Sequence, residues 1–395
     1  MSSPKTLDPR YAVVAGACLT QFMVIGLLFS YSLFFKTFED EFGWSRTTLS
    51  AAASLSFLMM GVLATFFGHL GDRFGPRPVL ATTGLLTGLG FALISQVSAP
   101  WHLFLIFGLL ISVGMSTHDV ITLSTVARWF KRRRGMMTGV VKTGTAVGQM
   151  LMPLAAALLI ADIGWRAAAM TLGVGAAFFL LIAALLMKRP PAAAETSDNA
   201  DEPTGNLRSA MGSRVFWTLC AIQFLFFPTL TTVPLHIPVH GMDLGMANTT
   251  AAALLSTAAG ASAIGRLTVG GFSDRIGGKK GYLLCLTPLI VSLGSLLAFE
   301  QPWLLFTAMV IYGFAHGGLF TIVAPTLTEF FGTRAVGAIF GAVVFFGTVG
   351  GAIGPILAGR IFDLTGSYAP AFITLAAMAM LGILLTLTLP MTKRP

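Results

Sequence analysis

Apolar runs of about twenty residues recur along the whole chain, with short polar segments between them. A run of that length can cross the ~30 Å hydrocarbon core of a bilayer as a helix. The pattern predicts an all-α membrane protein with twelve transmembrane helices, in two six-helix bundles over 1–187 and 215–395 joined by a polar linker at 188–214. The predicted spans are 11–35, 47–70, 79–99, 102–127, 136–159, 166–187, 215–239, 248–272, 281–299, 303–326, 336–360 and 368–390.

The two predicted bundles resemble each other, because the same residue types recur 202 positions apart. The pairs include Gly43 and Gly245, Pro100 and Pro302, Trp101 and Trp303, Gly148 and Gly350, and Pro153 and Pro355. A repeat that preserves orientation predicts two bundles related by an axis along the membrane normal. A binding site between such bundles can open to one side and then to the other, which is the geometry of a transporter.

Composition and charge support the membrane prediction and set the expected topology. Hydrophobic residues make up 55% of the chain and charged residues only 10%, which is too little charge for a soluble surface. Of the 25 Lys and Arg residues, two lie within predicted spans and nineteen flank one membrane face if the N-terminus is cytoplasmic. The four on the opposite face are Lys36, Arg46, Arg166 and Arg360. This positive-inside asymmetry predicts that both termini are cytoplasmic. We expect the membrane to be a bacterial inner membrane. The asymmetry also explains the net charge of +9 without a nucleic-acid partner.

A loop motif occurs once in each half, between predicted spans 2 and 3 and again between spans 8 and 9. Its residues are Gly68, Asp72, Arg73, Gly75 and Arg77 in the first half, and Gly270, Asp274, Arg275 and Gly277 in the second. The motif resembles the signature of the major facilitator superfamily, which implies the major facilitator fold with spans 1, 4, 7 and 10 around a central cavity. Two interpretations are open: a latch whose contacts break during gating, or a loop that only sets topology.

Two further segments resemble the monocarboxylate transporter family. One comprises Phe34, Phe35 and Lys36 together with residues 41–46 at the end of span 1. The other covers residues 128–139 after span 4, and bacterial oxalate:formate antiporters share its pattern. The resemblance implies a carrier of small carboxylates. The span 4 arginine motif of the superfamily's drug:proton antiporters is absent from this sequence, which argues against a drug exporter.

Three charged residues lie inside predicted spans, where each costs about 2.5–3.5 kcal/mol on insertion scales. They are Asp119, Lys142 and Arg266, each eight or nine residues from a charge at the cytoplasmic edge. At 1.5 Å per residue they lie at a similar depth, roughly 12–14 Å from that edge. A layer of charge at one depth predicts a binding site.

Arg266 is the leading candidate for substrate binding, because a guanidinium can bind a carboxylate through two parallel hydrogen bonds. The resemblance to monocarboxylate and oxalate carriers implies the same role. The alternative is a structural arginine that pairs with a helix carbonyl or with Asp119. Lys142 is either a second cation, suited to a dianion, or the partner of Asp119.

Asp119 and His118 are the candidate proton carriers. A low dielectric favours the neutral form of a carboxylate, and histidine titrates near neutral pH. Monocarboxylate carriers usually have an aspartate four residues before the span 8 arginine, but this chain has Ser262 at that position. Asp119 is therefore either a displaced proton carrier or the permanent ion-pair partner of Lys142.

Five more residues on the predicted spans complete the candidate substrate contacts, each with structural packing as its alternative role. They are Phe29 and Tyr31 in span 1, Gln149 in span 5, and His316 and Phe320 in span 10. The sequence contains no phosphate-binding or nucleotide motif and only a weak metal-ligand spacing. We therefore expect no ATP, no cofactor and no metal ion.

The leading hypothesis is a secondary transporter, not an enzyme, that carries a small mono- or dicarboxylate by proton symport or anion exchange. Its expected partners are the organic anion, protons and the lipid bilayer, with the transporter itself a monomer. The second hypothesis is an exporter that exchanges a neutral or drug-like molecule for protons. The third is a carboxylate receptor with a transporter fold, and the absence of an appended signalling domain argues against it.

Overall fold

The computed structural model describes residues 8–130, 134–189, 207–298, 301–332 and 336–391, with side chains described for all of these except 65, 134–135, 273–275 and 336–338. Its regular elements are all helical within those ranges. The helices of the first half are α1 (Pro9–Phe42), α2 (Arg46–Phe74), α3 (Pro76–Leu93), α4 (Pro100–Leu105), α5 (Ser112–Trp129) and α6 (Arg134–Leu186). A 3₁₀ turn (Ile94–Gln96) follows α3, and a π-helical segment (Ile106–Ile111) joins α4 to α5. The remaining helices are α7 (Leu207–Met211), α8 (Arg214–Asp243), α9 (Asn248–Ile276), α10 (Gly278–Ala298), α11 (Pro302–Phe331), α12 (Val336–Thr365) and α13 (Ala369–Thr388).

Among the described residues, 11 helical segments are long and apolar enough to cross a membrane. The 53-residue helix α6 contains two of the predicted spans, which explains the difference from twelve. Gly164 interrupts it with φ 78° and ψ 159°, a backbone conformation that a glycine adopts without a Cβ clash. The prediction of an all-α membrane protein with this series of spans is confirmed.

The sequence repeat is also visible in the backbone. Three pairs of glycines that stand 202 positions apart all have positive φ angles and occupy equivalent turns or breaks between helices. The pairs are Gly43 and Gly245 (66° and 85°), Gly75 and Gly277 (91° and 82°), and Gly164 and Gly366 (78° and 68°). The two halves therefore share their chain reversals as well as their sequence pattern.

Contacts between Cα atoms divide the chain into two compact units. Unit 1 comprises Met1–Tyr31 and Leu55–Asp198, and unit 2 comprises Ser32–Ser54 and Asn199–Pro395. The end of α1 and the start of α2 thus pack with helices from the second half of the sequence. The linker predicted at 188–214 lies mostly outside the described residues, and the predicted domain division stays a prediction.

Small residues allow the helices of unit 2 to approach each other closely. Helix α9 packs along α11, and α8 packs along α12. A Cβ atom on Gly265, Gly313 or Gly317 would collide with a backbone oxygen of the facing helix, in α11 or α9. Without a hydrophobic driving force between helices in lipid, such close packing is what holds them together. It also brings the polar side chains of α9 and α11 within contact distance.

Candidate functional site

The polar cluster of unit 2 consists of Arg266 and Ser262 on α9 with His316 and Phe320 on α11. The Ser262 hydroxyl lies 3.2 Å from Nδ1 of His316, and the Nε–H of Arg266 points to the same hydroxyl at 3.5 Å. The Arg266 guanidinium carbon lies 5.5 Å from the centre of the Phe320 ring, within cation–π range. We call these four residues the arginine cluster.

Helical spacing explains why the arginine cluster forms. Ser262 and Arg266 are four residues apart on α9, so both project from one face. Tyr312, His316 and Phe320 have the same spacing on α11, and their rings lie in a row, tilted by 45° and 60°, with centroids 5.5 and 5.0 Å apart. Ser262 and His316 are 1% and 5% exposed, whereas Phe320 is 44% exposed. The cluster is therefore a half-open site in which the guanidinium lies between a buried hydroxyl and an accessible aromatic face.

The hydroxyl of Tyr312 connects this row of rings to α8. Pro234 has no N–H, so it leaves the carbonyl of Leu230 without its helical donor. The Tyr312 hydroxyl lies 3.3 Å from that oxygen and 3.4 Å from the carbonyl of Thr229. A carbonyl freed by a proline of α8 thereby positions Tyr312, whose ring lies beside that of His316.

The polar cluster of unit 1 is built on α1, α5 and α6. Lys142 Nζ lies 2.5 Å from Oδ1 of Asp119, and the Gln21 amide donates to the same oxygen at 2.7 Å. The Thr145 hydroxyl donates to Oε1 of Gln21 at 2.8 Å. His118 Nε2 is 3.6 Å from the Asp119 carboxylate, while its Nδ1 contacts the carbonyl of Met115 at 2.6 Å. We call Gln21, His118, Asp119, Lys142 and Thr145 the aspartate cluster.

The structure thus places Lys142 and His118 against Asp119, all within unit 1. The ion-pair role predicted for Asp119 requires a cation at this distance, whereas a proton carrier does not, because a nearby cation favours the ionised carboxylate. The side chains of Lys142 and Asp119 are 31% and 42% exposed, so the pair is only partly withdrawn from its surroundings. Gln21 was not among the predicted site residues. The sequence signal for Gln21 is an amide side chain within the apolar first span, and the structure shows that this amide is fully buried.

The other candidate contacts have different environments. Tyr31 is fully buried, with its ring 4.3 Å from that of Phe107, and therefore belongs to the packing of unit 1. Phe29 lies on the same helix and is partly buried. Gln149 is a buried residue of α6, two turns beyond Lys142. Their predicted roles in binding stay predictions.

The first loop motif makes polar contacts within unit 1. Asp72 accepts a hydrogen bond from Arg128 at 2.8 Å, and both side chains are largely exposed. Arg189 donates to the backbone oxygens of Asp72 and Arg73. A Cβ atom on Gly75 would lie 2.7 Å from Nε of Arg189, so the glycine makes room for this cap. The motif ties α2 to the end of α5 and to the residues after α6, and Arg77 is exposed beside it.

The second loop motif is described only in part. Gly270 lies within α9, and Gly277 makes the turn into α10 with φ 82°. The side chains of Asp274 and Arg275 lie outside the described residues. The N–H of Gly278, the first residue of α10, donates to Oε2 of Glu329 at 2.7 Å. A carboxylate therefore accepts a hydrogen bond from the first N–H group of α10, and negative charge is favoured at a helix N-terminus.

A third charged cluster was not predicted from the sequence. Arg46 is 1% exposed and binds two carboxylates, with Nη1 2.6 Å from Asp243 Oδ2 and Nε 3.0 Å from Glu39 Oε1. It also donates to the Tyr368 hydroxyl at 2.9 Å and lies 3.7 Å above the Phe362 ring. The sequence interpretation used Arg46 as a charge on the outer face and as part of the 41–46 segment that resembles the monocarboxylate transporter family. Neither use indicated that Arg46 is buried.

Comparisons with known proteins agree with this architecture. Residues 17–267 and 237–395 match the family model of the Major Facilitator Superfamily. The chain is 30% identical to monocarboxylate transporter 13 of Bos taurus over 388 residues, which cover 96% of this chain and 89% of that protein. It is 23% identical to the agnestins efflux protein of Paecilomyces divaricatus, covering 88% and 80% of the two chains. The fold matches a bacterial homologue of the human lysosomal transporter Spinster, in an inward-facing and occupied conformation, with TM-score 0.78, 14% identity and 97% and 96% coverage.

Proposed function

Because the chain belongs to the Major Facilitator Superfamily and is a multi-pass secondary transporter, we propose that its substrate is a small organic anion, a mono- or dicarboxylate. The arginine cluster of unit 2 is the feature that supports this substrate class. Transport is by alternating access, with the carboxylate moved either together with a proton or in exchange for a second anion.

The single observation that carries the proposal is the placement of Arg266. Its partly buried guanidinium lies where the apolar helices α9 and α11 meet, beside the hydroxyl of Ser262 and above the accessible ring of Phe320. A guanidinium offers five donors in a rigid fork, which matches the two oxygens of a carboxylate. The similarity to monocarboxylate transporter 13 over nearly the whole chain supports the same substrate class.

Reconstitution into proteoliposomes tests the proposal directly. Purified protein is assayed for uptake of a panel of radiolabelled mono- and dicarboxylates, with and without an inward pH gradient. We expect saturable uptake of at least one carboxylate, competed by its close analogues and absent from protein-free liposomes. Failure of every carboxylate in both conditions, from protein that is folded by circular dichroism and monodisperse, would reject the substrate class.

A second candidate function is export of a neutral or drug-like molecule, favoured by the similarity to the agnestins efflux protein. Here the Asp119–Lys142 pair, rather than Arg266, would supply the charged group that responds to protons. Inside-out vesicles that accumulate a neutral aromatic compound in response to a proton gradient, but no carboxylate, would favour this alternative.

The membrane orientation is part of the proposal. The distribution of Lys and Arg supports cytoplasmic termini, with the linker at 188–214 on the same side. Added protease should cut this linker in inside-out bacterial inner-membrane vesicles and leave it intact in right-side-out vesicles. Cleavage in only the right-side-out preparation would reverse the topology.

A further inference from the structure

We propose that His316 is the residue that binds the coupled proton, and that it does so when a carboxylate occupies Arg266. This inference rests on the proposed carboxylate transport. It differs from the sequence prediction, which gave His316 a role in substrate contact and looked for the proton carrier at Asp119 and His118.

The geometry of the arginine cluster supports this role. The Ser262 hydroxyl bridges the two titratable groups, 3.2 Å from the His316 ring and 3.5 Å from Nε of Arg266. The bridge holds Nδ1 of the imidazole, whereas Nε2 has no hydrogen-bond partner among the residues that the structure describes. A hydroxyl can accept as well as donate, so Ser262 can stabilise the ring whether or not it carries the extra proton.

Electrostatics couples the proton to the anion. An imidazolium next to a guanidinium is opposed by the repulsion of two like charges in a medium of low dielectric. A carboxylate bound to Arg266 neutralises that charge and attracts the imidazolium as well. Water on one side of the membrane supplies the proton to Nε2, and water on the other side receives it when the carboxylate leaves. One monocarboxylate and one proton then cross together without net charge movement.

No other described charge competes for this role near His316. Arg266 is the charged group that faces it from α9, and Tyr312 is the titratable neighbour on α11, with its hydroxyl committed to α8 carbonyls. Cys285 of α10 lies against Gly318, two residues beyond His316 on α11. The described titratable residues of α12 are Arg360 and Asp363, and Asp363 accepts hydrogen bonds from the backbone N–H groups of Arg46 and Thr47.

Asp119 is less suited to the same task. Its carboxylate already holds Lys142 at 2.5 Å and Gln21 at 2.7 Å. A proton on Asp119 would break this ion pair and strand the ammonium of Lys142. The histidine, in contrast, changes its charge in response to the group that we propose binds substrate.

The experiment compares coupled and uncoupled transport in the same proteoliposomes. His316→Asn retains a polar atom near the position of Nδ1, and therefore the Ser262 contact, but cannot be protonated. Three readouts are taken: uphill uptake driven by a pH gradient, substrate-driven proton flux measured with an internal pH dye, and exchange between equally loaded sides at equal pH. For His316→Asn we expect the first two to fall at least about tenfold, and exchange to stay within about threefold of the wild type.

Three further variants sharpen the result. Asp119→Asn tests the rival proton carrier, and its proton flux per transported carboxylate should equal that of the wild type. Arg214→Lys, at an exposed residue that begins α8, is the matched control. Ser262→Asp, added to His316→Asn, places a carboxylate beside Arg266 and should restore proton-driven uptake. This rescue separates a coupling role from a merely structural one, because a packing defect at His316 would not be repaired by an acid at Ser262.

Each other outcome overturns the inference. Unchanged proton flux in His316→Asn would exclude the histidine as the proton site, and loss of exchange from a folded His316→Asn protein would make it a substrate contact only. A wild type that exchanges carboxylates but never moves protons would reject this coupling and leave the proposed function standing. A wild type that transports no carboxylate would reject the proposed function itself.

Discussion

Gln21 and Gln223 occupy equivalent positions of the repeat, yet the two amides differ in how many of their polar atoms are hydrogen-bonded. Gln21 is fully buried and bonds Asp119, Thr122, Thr145 and the carbonyl of His118. Gln223 is 2% exposed, and its Oε1 has no partner among the described residues. The equivalent of Thr145 is Gly347, where an added Cβ would lie 2.7 Å from Cγ of Gln223. The second half has thus lost the hydroxyl that satisfies the amide in the first.

The same divergence runs through both clusters. The equivalents of Asp119 and Lys142 are Thr321 and Val344, and the equivalents of Arg266 and His316 are Ala64 and Gly114. The repeat therefore preserves the helices and their turns but not their chemistry. The aspartate cluster satisfies its own polar groups, and a satisfied network rigidifies the protein around it. The arginine cluster holds a guanidinium and an imidazole around one hydroxyl, which suits a site that binds an anion.

The largest expected effect is on transport, at Arg266. Arg266→Lys keeps the positive charge but loses the planar fork, and with it one of the two charge-assisted hydrogen bonds to the carboxylate. Such a bond contributes about 1.5–3 kcal/mol, so we expect uptake at low substrate concentration to fall about ten- to a hundredfold. Initial uptake rates in proteoliposomes measure this effect.

The matched control for this variant is Arg214→Lys, an exposed arginine at the start of α8. It should transport like the wild type. If Arg266→Lys and the wild type have equal affinity for the substrate, Arg266 does not bind it. The proposed difference between the arginine cluster and the aspartate cluster would then be wrong.

The second effect concerns the ion pair of the aspartate cluster. Asp119→Asn leaves the ammonium of Lys142 without its counter-ion, and we expect a loss of about 1–2 kcal/mol, between the values for exposed and buried pairs. The double variant Asp119→Asn, Lys142→Ala removes both charges and should recover most of the lost stability. Thermal unfolding in detergent measures both variants.

Proton-driven uptake by the double variant decides the role of Asp119. Recovery of uptake together with stability would establish a structural brace, as the contacts of Asp119 with Lys142 and Gln21 favour. Recovered stability with uphill uptake still absent would instead identify Asp119 as the proton carrier, and would contradict the assignment to His316.

The smallest expected effect is at Gln223, which we compare directly with Gln21. Gln21→Met removes donors and an acceptor that Asp119 and Thr145 use, so we expect a loss of about 2–3 kcal/mol. Gln223→Met replaces a buried amide that lacks one partner with an apolar chain of similar length. It should be neutral or stabilising by up to about 1 kcal/mol. Equal destabilisation by both substitutions, measured by thermal unfolding, would show that the two amides are equally satisfied.

Local sequence patterns were sufficient to predict the helical spans, the repeat and the in-membrane charges. The length of an apolar run predicts a transmembrane helix. The four-residue spacing of Ser262 and Arg266 places both side chains on one helical face. The burial of Arg46 could not be predicted in this way. Its partners Asp243 and Tyr368 are 197 and 322 residues distant, and only the packing of α8 and α13 around residues 32–54 makes them neighbours. The bridge from Ser262 to His316 likewise depends on the close approach of α9 and α11.

The environment of Arg46 also has a consequence for biosynthesis. Glu39 is synthesised before this arginine, but Asp243 and Tyr368 follow it by 197 and 322 residues. At about 5–20 residues per second, the last partner leaves the ribosome roughly 15–65 s after Arg46. Throughout that interval the guanidinium near the start of the second helix lacks its hydrogen bond to the Tyr368 hydroxyl. A chain truncated before Tyr368 would therefore lack a contact of Arg46, a residue encoded more than 300 codons upstream of the truncation.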